Sequence, residues 1–131
     1  MKLLQLLPVV LFCFFMTAFS SDVHKTNGEL IYKTGKNKEG EKLLDKNASR
    51  IKIAKSCQTC HGKKGDAMKG ISISYSYLSD PRNFAVPYTD SLLFRFLDHD
   101  FKSDGTKANI GVIWKMSDKD KKDLIVYLRT L

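Results

Sequence analysis

The sequence predicts a small all-α domain with long loops, and three observations support this fold class. Residues 90–99 carry apolar side chains at the i, i+3, i+4 spacing of one helix face. Residues 62–88 hold three glycines and two prolines, which favour loops. The last segment shows the clearest helical stripe, formed by four apolar side chains: Leu124, Tyr127, Leu128 and Leu131.

The N-terminus predicts an export signal. Lys2 precedes an apolar stretch over residues 3–19, and small residues end it at Ala18 and Ser20, as at a signal cleavage site. We expect residues 1–20 to be a signal peptide and residues 21–131 to form one domain in the periplasm or another extracytoplasmic space. The alternative is an uncleaved membrane tether, since about 17 apolar residues nearly span a bilayer.

The exported part is basic. Residues 21–131 keep 21 of the 22 Lys and Arg residues and all 14 acidic ones, so their formal charge is +7. Because the lysines are scattered, they favour solubility and weak steering toward acidic partner surfaces. No basic run indicates nucleic-acid binding, and the aromatic content is too high for a disordered tail. We expect a monomer.

The first part of the domain is expected to hold one short helix. Residues 29–32 predict one or two helical turns that end at Thr34-Gly35. Residues 35–49 are rich in Lys, Gly, Glu and Asn, which indicates a solvated loop or a small hairpin.

Capping residues predict where the two later helices begin. Thr89 is expected to cap the helix at 90–99. Ser117 is expected to cap the last helix, because Asp118 and Asp120 fall in its first turn, where the helix dipole favours negative charge.

Cys57-Gln58-Thr59-Cys60-His61 is a C-x-x-C-H run, which is typical of c-type haem attachment. Two thiols at this spacing reach the two vinyl groups on one edge of a haem and form thioethers with them. The following histidine then lies beneath the ring with its imidazole toward the iron. We therefore predict one covalently attached haem c, with Cys57 and Cys60 as attachment residues and His61 as the proximal iron ligand.

Three other roles stay open for this motif. Cys57 and Cys60 would form a bare disulfide in an oxidising compartment. A thioredoxin-like redox pair is the second alternative, although no βαβ pattern surrounds the motif. A zinc site would need a fourth ligand, and the remaining histidines, His24 and His99, lack motif spacing.

Three blocks of the chain resemble the small monohaem class I cytochromes c of bacteria: residues 27–35, residues 57–65, and residues 114–118 with 124–131. They are similar to the family's N-terminal helix, its C-x-x-C-H-G-x-x-G attachment segment, and its C-terminal helix with the approach to it. The resemblance implies a cytochrome c-like fold, in which the N- and C-terminal helices pack around the haem. It also implies that Gly28 permits their close approach and that Tyr32 meets Tyr127.

The sequence departs from that family at the second axial ligand. In the family a methionine binds iron on the face opposite the histidine, a few residues before the apolar residue that precedes the last helix. Met116 occupies that apolar position here, and counting back reaches Ile110 and Gly111, neither of which is a ligand. The family's proline, whose carbonyl orients the proximal imidazole, is also missing near Ile71. We therefore expect another backbone carbonyl to accept from the free nitrogen of His61.

Four answers stay open for the sixth iron position. Met116 reaches the iron if the 105–115 loop repacks, and otherwise packs beneath Trp114. Met68 and His99 are further candidates, with alternative roles as a loop residue and an exposed histidine. The last answer is no protein ligand, in which case one of two apolar side chains covers the iron: Ile110 or Val112.

Two functions from different classes follow. The first is an electron carrier and not an enzyme: the protein exchanges single electrons with respiratory redox proteins, and a lysine-rich rim around the haem edge favours acidic surfaces. The second is a haem-based binder or sensor of NO, CO or O2 with an open or displaceable sixth site, for which the missing methionine is the reason. A subunit of a larger respiratory complex fits the short chain equally well.

Overall fold

The structure, a computed structural model, describes His24, residues 26–68 and residues 71–131. The predicted signal peptide at residues 1–20 lies outside this part of the chain. In the described residues, helices are joined by loops and by isolated β-bridges, and no helix among them is long and apolar enough to cross a membrane. The helices are α1 (Asn27–Thr34), α2 (Cys57–His61), α3 (Tyr75–Leu78), α4 (Asp90–His99) and α5 (Asp118–Leu128).

The helix ends agree with the capping signals in the sequence. α1 ends at Gly35, whose φ of 68° lies in the left-handed region that glycine adopts without strain. α4 begins after Thr89, whose side chain accepts a backbone N–H of the first turn. α5 begins after Ser117 with a capping box, in which Ser117 and Asp120 each accept the other's backbone N–H. These three predicted boundaries are confirmed.

α1 and α5 cross at close range. A Cβ added at Gly28 would overlap the carbonyl oxygen of Asp123 in α5, so the backbones approach as they do only because this residue is glycine. One turn further along α1, the rings of Tyr32 and Tyr127 are in contact, with centroids 5.2 Å apart and planes tilted by 51°. The predicted close approach and the predicted ring contact are both confirmed.

Asn27 adds polar contacts to this crossing. Its buried amide Nδ2 donates to Asp120 Oδ1 at 3.0 Å and to Asp123 Oδ2 at 2.8 Å. Its Oδ1 accepts the backbone N–H of Lys38 at 2.9 Å. The start of α1 is therefore bonded both to the first turns of α5 and to the loop that follows α1.

Two clusters of buried side chains pack against α5. The first lies between α1 and α5 and comprises Ile31, Tyr32, Leu43, Trp114, Met116, Leu124 and Leu128. The second joins α4 to α5 and comprises Leu78, Tyr88, Leu93 and Ile125. Of the predicted stripe on the last helix, Leu124 and Leu128 are buried, whereas Tyr127 and Leu131 are half-buried.

Residues 35–49 form a small turn with one buried end. An isolated antiparallel bridge between Lys36 and Lys42 closes the turn, so this stretch combines the predicted solvated loop with one hairpin-like pairing. Leu43 directly after it is buried in the first cluster. The chain then runs over the surface without regular structure and enters α2 at Cys57.

Candidate functional site

The motif side chains lie on one turn of α2. Positions i, i+3 and i+4 of a helix share one face, so Cys57, Cys60 and His61 are neighbours on the same side. Buried Ser56 caps the helix by accepting a backbone N–H of the first turn, and Gly62 ends it with a φ of 72°. Cys57 and His61 are half-buried, whereas Cys60 is exposed.

The start of the loop after α2 is hydrogen-bonded both to α2 and to α1. The N–H of Ala67 donates to the carbonyl oxygen of His61 at 3.0 Å. The carbonyl oxygen of Gly62 accepts the hydroxyl of Tyr32 at 2.6 Å. Because Tyr32 lies in α1 and is 0% exposed, the crossing of α1 and α5 is connected directly to the residue that follows the motif histidine.

The Cys57 thiol differs from a redox-active cysteine. Burial raises its pKa to about 12, and neighbouring Cys60 adds to the rise. Reactive cysteines in disulfide oxidoreductases have a pKa lowered to about 7 or below. Cys57 is therefore protonated at neutral pH, which argues against the thioredoxin-like alternative. Both cysteines are free thiols in the structure.

The imidazole of His61 is uncharged at neutral pH, because burial lowers its pKa. The neutral imidazole is the form that binds a metal. Its Nδ1 atom is buried and has no hydrogen-bond partner among the described residues. The backbone carbonyl that we expected to accept from this nitrogen is therefore not found in that part of the chain, and the expectation is not supported.

Apolar side chains flank the motif and face solvent. Ile53, four residues before Cys57, is 83% exposed. Four more apolar residues near the motif or on the neighbouring 109–111 turn are exposed: Ile51, Met68, Ile71 and Ile110. Such side chains would lose exposed apolar surface to an apolar group bound beside them. Together with the shared face of Cys57, Cys60 and His61, these side chains fit a covalently attached haem.

Met116 is a core residue of the first cluster. Its side chain is 8% exposed and packs in the same cluster as Trp114, which is the packing role that the sequence analysis left open for it. The backbone beside it is bonded on two sides. The N–H of Lys115 donates to the carbonyl oxygen of Leu43 at 2.7 Å, and that of Trp114 donates to Leu97 at 3.3 Å.

The 109–111 turn, which the resemblance aligns with the family's methionine, is held by two charged side chains. The Asp100 carboxylate accepts the N–H of Ile110 at 3.3 Å and that of Gly111 at 3.1 Å. The guanidinium of Arg50 donates to the carbonyl oxygen of Asn109 at 2.8 Å. A repacking of the 105–115 loop that brought Met116 inward would break these bonds.

The other two candidate ligands lie at the surface. Met68 is exposed in the loop after α2, and His99 is exposed at the end of α4. Val112 is half-buried against the first cluster, whereas Ile110 is exposed. Within residues 26–68 and 71–131, no group of three or more His, Cys, Asp or Glu side chains is placed to hold a metal ion. The zinc alternative therefore finds no support there.

Two contacts among the described residues have no signal in the sequence. The hydroxyl of Tyr32 reaches Gly62 across 30 positions of the chain, and the sequence analysis assigned only its ring. Asp100 follows the last residue of α4 and has a left-handed backbone, with a φ of 56°. Its carboxylate accepts hydrogen bonds from the backbone amides of Ile110 and Gly111, ten and eleven positions further along the chain. No local pattern marks an aspartate for such a role.

Comparisons of the chain with protein-family models, with curated proteins and with solved structures find no match. The resemblance to the class I cytochromes c therefore depends on the three blocks of sequence themselves.

Proposed function

We propose that this protein is an exported monohaem c-type cytochrome that carries single electrons between respiratory redox proteins. The observation that carries the proposal is the shared face of α2, on which two thiols and a neutral imidazole lie within one helical turn. Cys57 and Cys60 hold the ring through thioethers, and His61 is the proximal ligand. A haem bound here supplies one-electron exchange between ferric and ferrous iron.

The surroundings of α2 support the same proposal. The exposed isoleucines beside the motif, Ile51 and Ile53, offer an apolar surface on which a porphyrin rests. The formal charge of residues 21–131 is +7, which favours brief, salt-sensitive encounters with acidic partner surfaces. The protein acts as a carrier and not as an enzyme, in the periplasm or another extracytoplasmic space.

A second function is a haem-based binder or sensor of NO, CO or O2. The observation that favours it is the position of Met116, which is buried in the first cluster behind a bonded backbone. The 109–111 turn offers no ligating side chain and is held by Asp100 and Arg50. A sixth position without a protein ligand would admit a small diatomic molecule.

The first test is covalent haem attachment. The full chain, expressed in a host with c-type maturation, is expected to emerge coloured and heavier by one haem. Cys57→Ala with Cys60→Ala abolishes covalent attachment, and His61→Ala loses the spectrum of the proximal ligand. His99→Ala is the matched control, because this exposed histidine leaves attachment unchanged. A wild-type protein that is colourless and still unfolds cooperatively would contradict the proposal.

The second test separates the two functions. If Met116 ligates iron, the ferric protein shows the weak red band of methionine–haem ligation, and Met116→Leu abolishes it. If Met116 only packs, the variant spectrum equals that of the wild type. A ferrous protein that binds CO at once, with a large spectral shift, favours the binder or sensor. A ferrous spectrum that CO leaves unchanged favours the electron carrier.

A further inference from the structure

Tyr32 occupies an unusual position between the helix crossing and the attachment motif. Its ring is fully buried in the first cluster and stacks at a tilt on Tyr127 of α5. Its hydroxyl leaves that apolar setting to donate to the carbonyl oxygen of Gly62 at 2.6 Å. One side chain thus joins the rigid crossing to the peptide that directly follows His61.

The peptide that Tyr32 holds has few other restraints. The N–H of Gly62 donates back to Gln58 at 2.9 Å as the last bond of α2. The φ of Gly62, 72°, lies in a region that glycine shares with few other residues. Glycine also has more conformational freedom than any other residue. The hydrogen bond from Tyr32 to the carbonyl oxygen of Gly62 therefore restricts the C-terminal end of α2 more than the same bond to another residue type would.

The bond is also one that the fold requires. A buried phenol without a partner loses the free energy of its hydrogen bonds to water, and Gly62 supplies the acceptor for Tyr32. Burial raises the pKa of Tyr32 to about 12, so the hydroxyl keeps its proton and remains a donor over the physiological range of pH.

We infer that Tyr32 is the positioning residue for His61, acting through the hydrogen bond from its hydroxyl to the carbonyl oxygen of Gly62. His61 lacks a protein partner at Nδ1 among the described residues, so the orientation of its imidazole depends on how firmly its backbone is held. Tyr32 holds that backbone from the C-terminal side. The role in iron ligation depends on the proposed function, whereas the restraint on the backbone does not.

Tyr32→Phe isolates the hydroxyl, because it keeps the buried ring and its contact with Tyr127. Tyr127→Phe is the matched control: it removes a hydroxyl from the other ring of the pair, whereas the hydroxyl that donates to Gly62 belongs to Tyr32. Leu124→Ala is a second control, which destabilises the same cluster without touching Gly62. All variants are made in the full chain with c-type maturation.

The first readout is hydrogen exchange at the amides of Gly62 and Ala67, which donate to the carbonyl oxygens of Gln58 and His61 in α2. Loss of one hydrogen bond is expected to speed exchange at both amides about fivefold in Tyr32→Phe. Tyr127→Phe leaves both rates at the wild-type value. Rates in Tyr32→Phe that equal those of the Tyr127→Phe control would overturn the inference, whether or not haem is bound.

The second readout is the reduction potential of the haem-loaded protein. A less firmly held imidazole donates less to ferric iron, so the potential rises in Tyr32→Phe and stays at the wild-type value in Leu124→Ala. An unchanged potential in haem-loaded Tyr32→Phe also overturns the inference. A wild-type chain that takes up no haem refutes the proposed function instead, and the exchange rates alone then decide what Tyr32 does.

Discussion

The crossing of α1 and α5 and the segment over residues 109–116 contribute to the same core cluster but are held in different ways. At the crossing, two regular helices meet at a glycine, and the contact is made of close backbone approach and stacked rings. The 109–116 segment has no helix or strand and pairs with the chain at an isolated antiparallel bridge between Trp114 and Leu44. Its amides and carbonyls are bonded one at a time by distant groups such as Asp100 and Arg50.

This difference matters because, if a haem is bound as proposed, the two regions would serve its two axial positions. The crossing reaches the proximal side through Tyr32 and Gly62. The 109–116 segment is the part that the resemblance aligns with the second axial ligand, and it buries Met116 in the core. The close packing at the crossing of α1 and α5 does not tolerate added atoms. The 109–111 turn is held by separate polar hydrogen bonds, so it is disrupted when one charged group is changed.

The largest expected effect is at the crossing. Gly28→Ala places a Cβ where the carbonyl oxygen of Asp123 lies, so α1 must move away from α5, at a cost of about 3 kcal/mol in the free energy of unfolding. Gly40→Ala is the control, since it strains a glycine with a φ of 83° without meeting any neighbour, and costs about 1 kcal/mol. Urea unfolding measures both. Equal losses would mean that the crossing tolerates the added atom.

An intermediate effect is expected at the 109–111 turn. Asp100→Asn keeps the tolerance for a left-handed backbone but replaces one acceptor with a donor, at a cost of about 2 kcal/mol. Exchange of the Ile110 and Gly111 amides becomes faster. Asp104→Asn, in the exposed loop where Asp104 accepts from Thr106, leaves that exchange unchanged. Protected amides in Asp100→Asn would show that the carboxylate does not hold the turn.

The smallest effect concerns the acid stability of the crossing. Burial opposes ionisation of Asp120, but hydrogen bonds from Asn27 and Ser117 outweigh it and hold its pKa below the usual value. Lys119 and Asn27 lower the pKa of Asp123 in the same way. A folded-state pKa below the unfolded value stabilises the protein above the unfolded pKa, and that stability is lost as pH falls through the folded one.

Asn27→Ala removes a shared donor and raises both carboxyl pKa values toward their unfolded values. The midpoint of acid unfolding, followed by circular dichroism, is then expected to rise by about half a pH unit. Asn47→Ala is the control, since Asn47 is exposed in a loop. Its backbone N–H, which the substitution keeps, donates to the Asp45 carboxylate. An acid midpoint that does not move in Asn27→Ala would show that the amide does not tune these carboxylates.

Much of the helical structure could be predicted because caps are local. Thr89 and Ser117 start α4 and α5 where the sequence places them, since each side chain bonds an amide only three residues ahead. The predicted apolar stripe of the last helix omitted one of its buried residues. Ile125 lies outside the predicted stripe and is nevertheless buried, because the second cluster packs on another side of α5. A stripe defined for one contact face does not reveal a second partner.

The site was predicted unevenly for the same reason. Cys57, Cys60 and His61 are recognisable because the C-x-x-C-H spacing is typical of the proposed haem attachment. One helical turn brings the three side chains together. The positions of Met116 and of the 109–111 turn depend on Asp100, Arg50 and Leu43, whose bonds span up to 72 positions of the chain. The identity of the sixth ligand therefore stays a prediction that only the spectra described above will test.

The amino-acid sequence alone predicted where α1 ends, where α4 and α5 begin and that Cys57, Cys60 and His61 share one helical turn, and the family resemblance implied the close approach at Gly28. These features depend on interactions within one helical turn or on the size of one side chain. Tertiary structure alone decided that the hydroxyl of Tyr32 bonds Gly62, that Asp100 holds the 109–111 turn and that Met116 lies in the core. Each of these is a contact between segments far apart in the chain, and the folded backbone must first bring those segments together.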